Sequence, residues 1–175
     1  MASRPDFQVR PGGVATILRL KCLSRERAAR GPAVVLGGAE LPSRVGSTLE
    51  GASRWLSIGP GEWLAIVPQQ AATDFRDHLA RQLPDSGLAV ADLTDGLAQF
   101  EVEGKLATEV LSKGCGLDFH PSAFPVGHCA RTRFAQIPLV LVRREGPPRF
   151  ELFVARSYAR YLHDWINDAA AEFSP

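Results

Sequence analysis

Five residues with metal-binding or proton-transferring side chains fall in one stretch: Cys115, Asp118, His120, His128 and Cys129. A tetrahedral zinc site is built from pairs such as C-x2-C or H-x3-H, whose spacing lets adjacent ligands reach one ion. Neither spacing occurs here, so the stretch reads as a hydrogen-bonded loop. A nucleophilic cysteine needs a nearby cation or a helix N-terminus to become a thiolate. Cys115 instead follows the end of a predicted helix, the wrong pole of the dipole, and reads as a small buried hydrophobe. Gly59-Pro60-Gly61 is half of a dinucleotide fingerprint. It lacks the third glycine and leads into a strand, whereas a pyrophosphate sits at a helix N-terminus. Gly104-Lys105 has neither the upstream glycine nor the hydroxyl of a phosphate-binding loop, and no G-x-S-x-G elbow is present. Catalytic, cofactor-binding and metal-ligating residues are therefore all expected to be absent.

The wider composition narrows the field further. A chain of 175 residues with net charge +1 exerts no global pull on nucleic acid or an anionic membrane. Arginine dominates the positive charge, lysine occurring only at Lys21, Lys105 and Lys113, and the arginines are scattered; this fits GC-rich bacterial coding better than a binding surface. Gln99, Glu101 and Glu103 give one predicted strand an acidic face, the opposite of what RNA requires. The three cysteines, Cys22, Cys115 and Cys129, are too few and too widely spaced for a disulfide framework, which favours a reducing cytoplasm. Met1–Gly13 has no apolar core of a signal peptide, and no run approaches the ~20 apolar residues that span a bilayer.

The elements that must position these residues are legible from periodicity. Residues 1–13, with Pro5, Pro11, Gly12 and Gly13, read as a flexible tail. Alternation over Val14–Cys22 predicts a strand. Residues 24–53 read as irregular, with one short apolar run at Ala33–Leu36. Arg54–Ile58 and Trp63–Val67 flank a Gly-Pro-Gly-Glu turn and predict a hairpin. A helix over about 70–83 places Phe75, Leu79 and Leu83 on one face, and Pro84 ends it. Leu88–Leu93 and Leu97–Glu103, joined through Thr94-Asp95-Gly96, read as a second hairpin. A helix over about 105–113 follows, closed by Gly114 at a left-handed cap. After the 114–128 loop come strands at Cys129–Phe134, Ile137–Arg143 and Arg149–Ala155. A final helix starts at an expected Ser157 N-cap. The order predicts an α+β fold of two interleaved split-βαβ (ferredoxin-like) lobes, about 14–93 and 94–175, with mainly antiparallel sheets.

Several segments resemble one family. Trp55-Leu-Ser-Ile-Gly-Pro-Gly-Glu-Trp-Leu64 is similar to the "LGPDEWLL" hairpin of the sarcosine oxidase gamma family, and Ala91-Asp-Leu-Thr-Asp-Gly96 to its "DLSDG" turn. Lys113-Gly-Cys-Gly-Leu-Asp-Phe-His-Pro121, with Phe124-Pro-Val-Gly127, Cys129-Ala130 and Thr132, resembles "KGCPLDLHP…FPPGxCAxT". Val154–Ser157 and Tyr161–Trp165 fit its closing strand and helix. Gly61 departs from the usual aspartate, Gly116 from a frequent proline, and the arm Met1–Gly13 looks short. The resemblance implies the fold of aminomethyltransferase folate-binding domains. It also implies a non-catalytic gamma subunit in a bacterial heterotetramer that demethylates sarcosine to glycine, releases hydrogen peroxide and passes a one-carbon unit to tetrahydrofolate. FAD, FMN, NAD, tetrahydrofolate and zinc would then belong to the alpha, beta and delta partners. Asp118, His120, Phe124, Gly127, Trp55 and Trp63 are the expected interface residues. Two other readings are a gamma-type subunit of a complex oxidising another N-methyl amino acid, and a free-standing folate-dependent one-carbon-transfer domain. A lone ligand- or RNA-binding domain is a third; it would be a stable monomer with an exposed basic or aromatic face.

Overall fold

Strand periodicity in the first half of the chain builds a five-stranded sheet. In the computed structural model, which describes residues 6–29, 34–36, 39–84 and 86–173, β2 (Ala15–Cys22) pairs antiparallel with both β7 (Glu62–Pro68) and β8 (Leu88–Asp92). The sheet order is β5 (Thr48–Leu49), β6 (Arg54–Gly59), β7, β2, β8. Because β7 and β8 each run against β2, they run parallel to one another, joined through α2 (Ala72–Gln82), and this is a split βαβ unit. Within 24–53 lie a short helix, α1 (Arg25–Ala29), and the small ribbon β3 (Val35–Leu36) with β4 (Ala39–Glu40); Ala33 of the predicted apolar run lies outside the described residues. Trp55, Trp63, Leu18, Leu20 and Leu79 centre the core under α2, and the Phe75 ring packs at a tilt against that of Trp55, centroids 5.7 Å apart.

The second unit repeats the plan. Its sheet order is β1 (Gln8–Pro11), β9 (Leu97–Glu103), β12 (Arg149–Ala155), β11 (Ile137–Arg144), β10 (Cys129–Phe134). Here β9 is flanked by two antiparallel partners, β1 and β12. They occupy the places that β8 and β7 hold beside β2. The helices α3 (Ala107–Gly114) and α4 (Ala159–Ala171) cover one face, burying Val110, Leu111, Leu162 and Ile166 against Phe100, Val102, Leu141, Phe150 and Leu152. At roughly 1.5–3 kcal/mol per large side chain buried, this apolar face accounts for most of what holds the unit together. The chain is thus α+β with two five-stranded antiparallel sheets, and β1, at the start of the chain, pairs in the sheet built by β9–β12.

Four sequence expectations change. Residues 1–13 are not wholly a tail: Gln8–Pro11 is a strand on β9, and Gly12 donates its N–H to Gln99. The signal is a short alternation in which Phe7 and Val9 reach the core while Gln8 and Arg10 do not; prolines and glycines around it masked it. Residues 1–5 lie outside the described residues. Among the described residues the two compact units are 14–96 and 6–13 with 97–173.

The proposed second hairpin also fails, because β8 joins β2 and β9 joins β12. The link between them is tied to β2, with Ile17 accepting from Leu93 N–H and donating to the Thr94 hydroxyl. Gly114 is the last residue of α3 and not a left-handed cap. Glycine is required there because a Cβ would lie 2.7 Å from the Phe134 ring and 2.8 Å from that of Trp165. Ser157 is no N-cap either; it sits in a 3-10 turn, Arg156–Tyr158, that leads into α4.

Candidate functional site

The residues singled out for chemistry lie on the loop between α3 and β10. Cys115 and Cys129 are buried at its two ends. Asp118 forms an Asx turn, its Oδ1 accepting the His120 N–H at 2.8 Å, and the His120 Nδ1 lies 2.7 Å from the Ser122 hydroxyl. His120 C=O accepts from both Ala123 and Phe124 N–H, which closes a tight turn. Asp118 and His120 are solvent-exposed.

Two aromatic side chains plug this loop into the unit. Phe119 and Phe124 are only 3% and 4% exposed. Phe119 meets Phe150 of β12 edge-on at 5.4 Å and Phe124 at 6.4 Å. Arg143 of β11 completes the anchor. Its Nη1 donates to the Phe119 carbonyl at 2.7 Å and to the Phe124 carbonyl at 2.9 Å, and its guanidinium lies over the Phe150 ring. The backbone of Arg143 also pairs with Gly127 and His128. This arginine was missed by motif reading. The available signal was a charge at the end of the otherwise apolar strand Ile137–Val142, opposite Phe150 in register.

The expected interface residues separate into two groups. Asp118, His120 and Gly127 stand on the loop, the first two exposed and Gly127 half-buried with φ +77. Trp55 and Trp63, each 1% exposed, and Phe124 are corrected: they are core side chains and unavailable to a partner. Trp63 spends its Nε1–H on the Pro42 carbonyl. Large apolar side chains exposed in their place include Val126, Tyr158 and Tyr161. Among the described residues no group of three or more His, Cys, Asp or Glu is placed to hold a metal ion, and no helix is long and apolar enough to cross a membrane.

The face expected to be acidic is neutralised. Glu101 accepts from Arg10 at 2.7 Å and from Arg149 at 2.9 Å, and both arginines also approach Glu103. Burial would raise the Glu101 carboxyl, but the hydrogen bonds from Arg10 and Arg149 outweigh it and hold it below the ordinary carboxylate value.

The model of the sarcosine oxidase gamma subunit family matches residues 28–172. This chain belongs to that family. The gamma subunit of sarcosine oxidase from Corynebacterium sp. strain P-1 is 36% identical over 141 residues, 78% of this chain and 67% of that protein. The gamma subunit from an Arthrobacter species is 32% identical over 139 residues, with the same coverage of both chains. Among solved structures, a chain of the heterotetrameric sarcosine oxidase from Corynebacterium sp. U-96, in complex with pyrrole 2-carboxylate, superposes with TM-score 0.82 at 27% identity, over 97% of this chain and 86% of that one. The glycine cleavage system aminomethyltransferase T from Bartonella henselae matches with TM-score 0.64 at 14% identity, over 93% of this chain but 46% of its own; it shares the fold alone. In this gamma-family chain the loop stapled by Arg143 at Phe119 and Phe124 falls within the segments where the motif resemblance was densest.

Proposed function

We propose that this chain is a structural gamma subunit of a heterotetrameric sarcosine oxidase and carries no active site of its own. The observation that carries the reading is the likeness, over nearly the whole chain, to a chain of a solved heterotetrameric sarcosine oxidase. In this reading the complex demethylates sarcosine to glycine with release of hydrogen peroxide, and a one-carbon unit passes to tetrahydrofolate. FAD, FMN, NAD, tetrahydrofolate and zinc sit on the alpha, beta and delta partners. The arrangement of the 115–128 loop supports a docking role. Its backbone is fixed from below by Phe119, Phe124 and Arg143, and it presents Asp118, His120 and Val126 outward. A preorganised loop binds without first losing conformational freedom. The test is affinity purification of the tagged chain from its native host, followed by identification of co-eluting proteins. Flavin-bearing large subunits and sarcosine-dependent peroxide in the eluate are expected. A colourless monomer that binds folate would instead place the chain among free-standing one-carbon-transfer domains.

A further inference from the structure

The first strand of the chain is attached to its sheet in an unusual way. β1 lies at the sheet edge and pairs on one side only, with β9. None of its four residues is fully buried, and only Phe7 and Val9 of the segment reach the core. Besides the ladder to β9, its polar anchors are Arg10 on Glu101 and Glu103, an exposed ion pair between Asp6 and Lys105 at 3.4 Å, the Asp6 carbonyl accepting from Leu106 N–H, and Gly12 N–H on the Gln99 carbonyl. Glu101, its side chain 14% exposed, is the one anchor that would be costly to abandon. Yet Arg149, on the neighbouring strand β12, already holds the same Glu101 oxygen at 2.9 Å and approaches Glu103 at 3.8 Å. Departure of Arg10 therefore leaves neither carboxylate alone. Gly13 follows with open space around its Cα, a free pivot before β2.

We propose that residues 6–12 form a releasable strap: the segment leaves the sheet edge by itself, ahead of the rest of the unit, while Arg149 retains both carboxylates. Release leaves the N–H and C=O groups along the outer edge of β9 facing solvent.

Hydrogen exchange on the full-length protein tests this, comparing amides of Gln8–Arg10 with those of Leu139–Val142. The β1 amides should exchange at least ~100-fold faster, through a local opening. Arg10→Met should raise the β1 rate about five-fold, the worth of a favourable exposed ion pair, without changing Leu139–Val142. If that variant does not fold, wild-type protein in ~1 M salt should give the same selective rise, because salt screens the pair. Arg149→Met has the opposite sign: with no substitute for Arg10, release strands Glu101, and the β1 rate should fall about five-fold. Equal protection of β1 and β11, or faster β1 exchange in Arg149→Met, would overturn the strap.

Discussion

Replacing Arg143 by alanine should loosen the 115–128 loop while leaving both sheets in place. The guanidinium supplies two charge-assisted hydrogen bonds, at 2.7 and 2.9 Å, to carbonyls of the loop. Bonds of this type contribute roughly 1.5–3 kcal/mol each when fully buried. Arg143 is half-buried, so water partly replaces it, and the expected loss is about 2–3 kcal/mol in total. Phe119 and Phe124 should stay seated, since extracting each ring costs a further ~2–3 kcal/mol of apolar burial. In urea the midpoint should fall by about 1 M with little change in slope, taking a slope near ~2 kcal/mol/M for a chain of this size. Exchange of amides between 115 and 128 should rise far more than exchange in β11 and β12. Arg143→Lys, which keeps the charge but not the planar fork, should lose about half as much. Arg143→Ala within ~0.5 kcal/mol of wild type, with loop exchange unchanged, would refute the view that this residue staples the loop.

Four further outcomes are expected. Gly114→Ala forces a Cβ against the Phe134 and Trp165 rings at 2.7 and 2.8 Å, and overpacking of this kind should cost roughly 1–3 kcal/mol in urea denaturation. Gly61→Asp, which restores the residue usual in the family's hairpin motif, should destabilise this chain by a similar ~1–3 kcal/mol: Gly61 has φ +61, and a Cβ there would lie 2.9 Å from Ala28 Cα. Ala135 and Gln136 both have positive φ in the two-residue turn between β10 and β11, where Asn-Gly is favoured, so the double change to Asn-Gly should raise thermal stability by about 1 kcal/mol. Glu101 has a lowered pKa, so its stabilisation is complete above the ordinary value of 4.5 and drains away as pH falls through the lower folded-state value. The stability gap between wild type and Glu101→Gln should therefore be flat above about pH 5.5 and shrink below pH 4.5.

Elements with strong periodicity were readable in the sequence: β2, the β6–β7 hairpin, α2 and the run β10–β11–β12 all stand where alternation and turn residues put them. The errors lie where a local signal had two physical meanings. Asp95-Gly96 is good hairpin chemistry, but the Leu93 N–H donates to the Ile17 carbonyl and the Ile17 N–H to the Thr94 hydroxyl, which ties this link to β2 while β9 joins the other sheet. Gly114 has the position of a cap and the function of a spacer, which depends on Phe134 and Trp165 far away in sequence. Trp55 and Trp63 were plausible surface anchors by residue type, and only the packing of α2 and the 24–53 segment shows them buried. For the candidate site, motif resemblance found the loop. It did not find Arg143, because the carbonyls this arginine holds, those of Phe119 and Phe124, lie 24 and 19 residues away in sequence.

The role proposed for this gamma-family chain is that an oxidase requires it for assembly while its partners perform the chemistry. The decisive measurement is an add-back assay: the partner subunits are prepared without this chain, and sarcosine-dependent peroxide formation and native mass are followed as the purified chain is returned. The account predicts no turnover from the chain alone, little or none from the partners alone, and recovery of both assembly and activity at a one-to-one ratio. Turnover by the isolated chain, or full activity and assembly of the partners without it, would contradict the account.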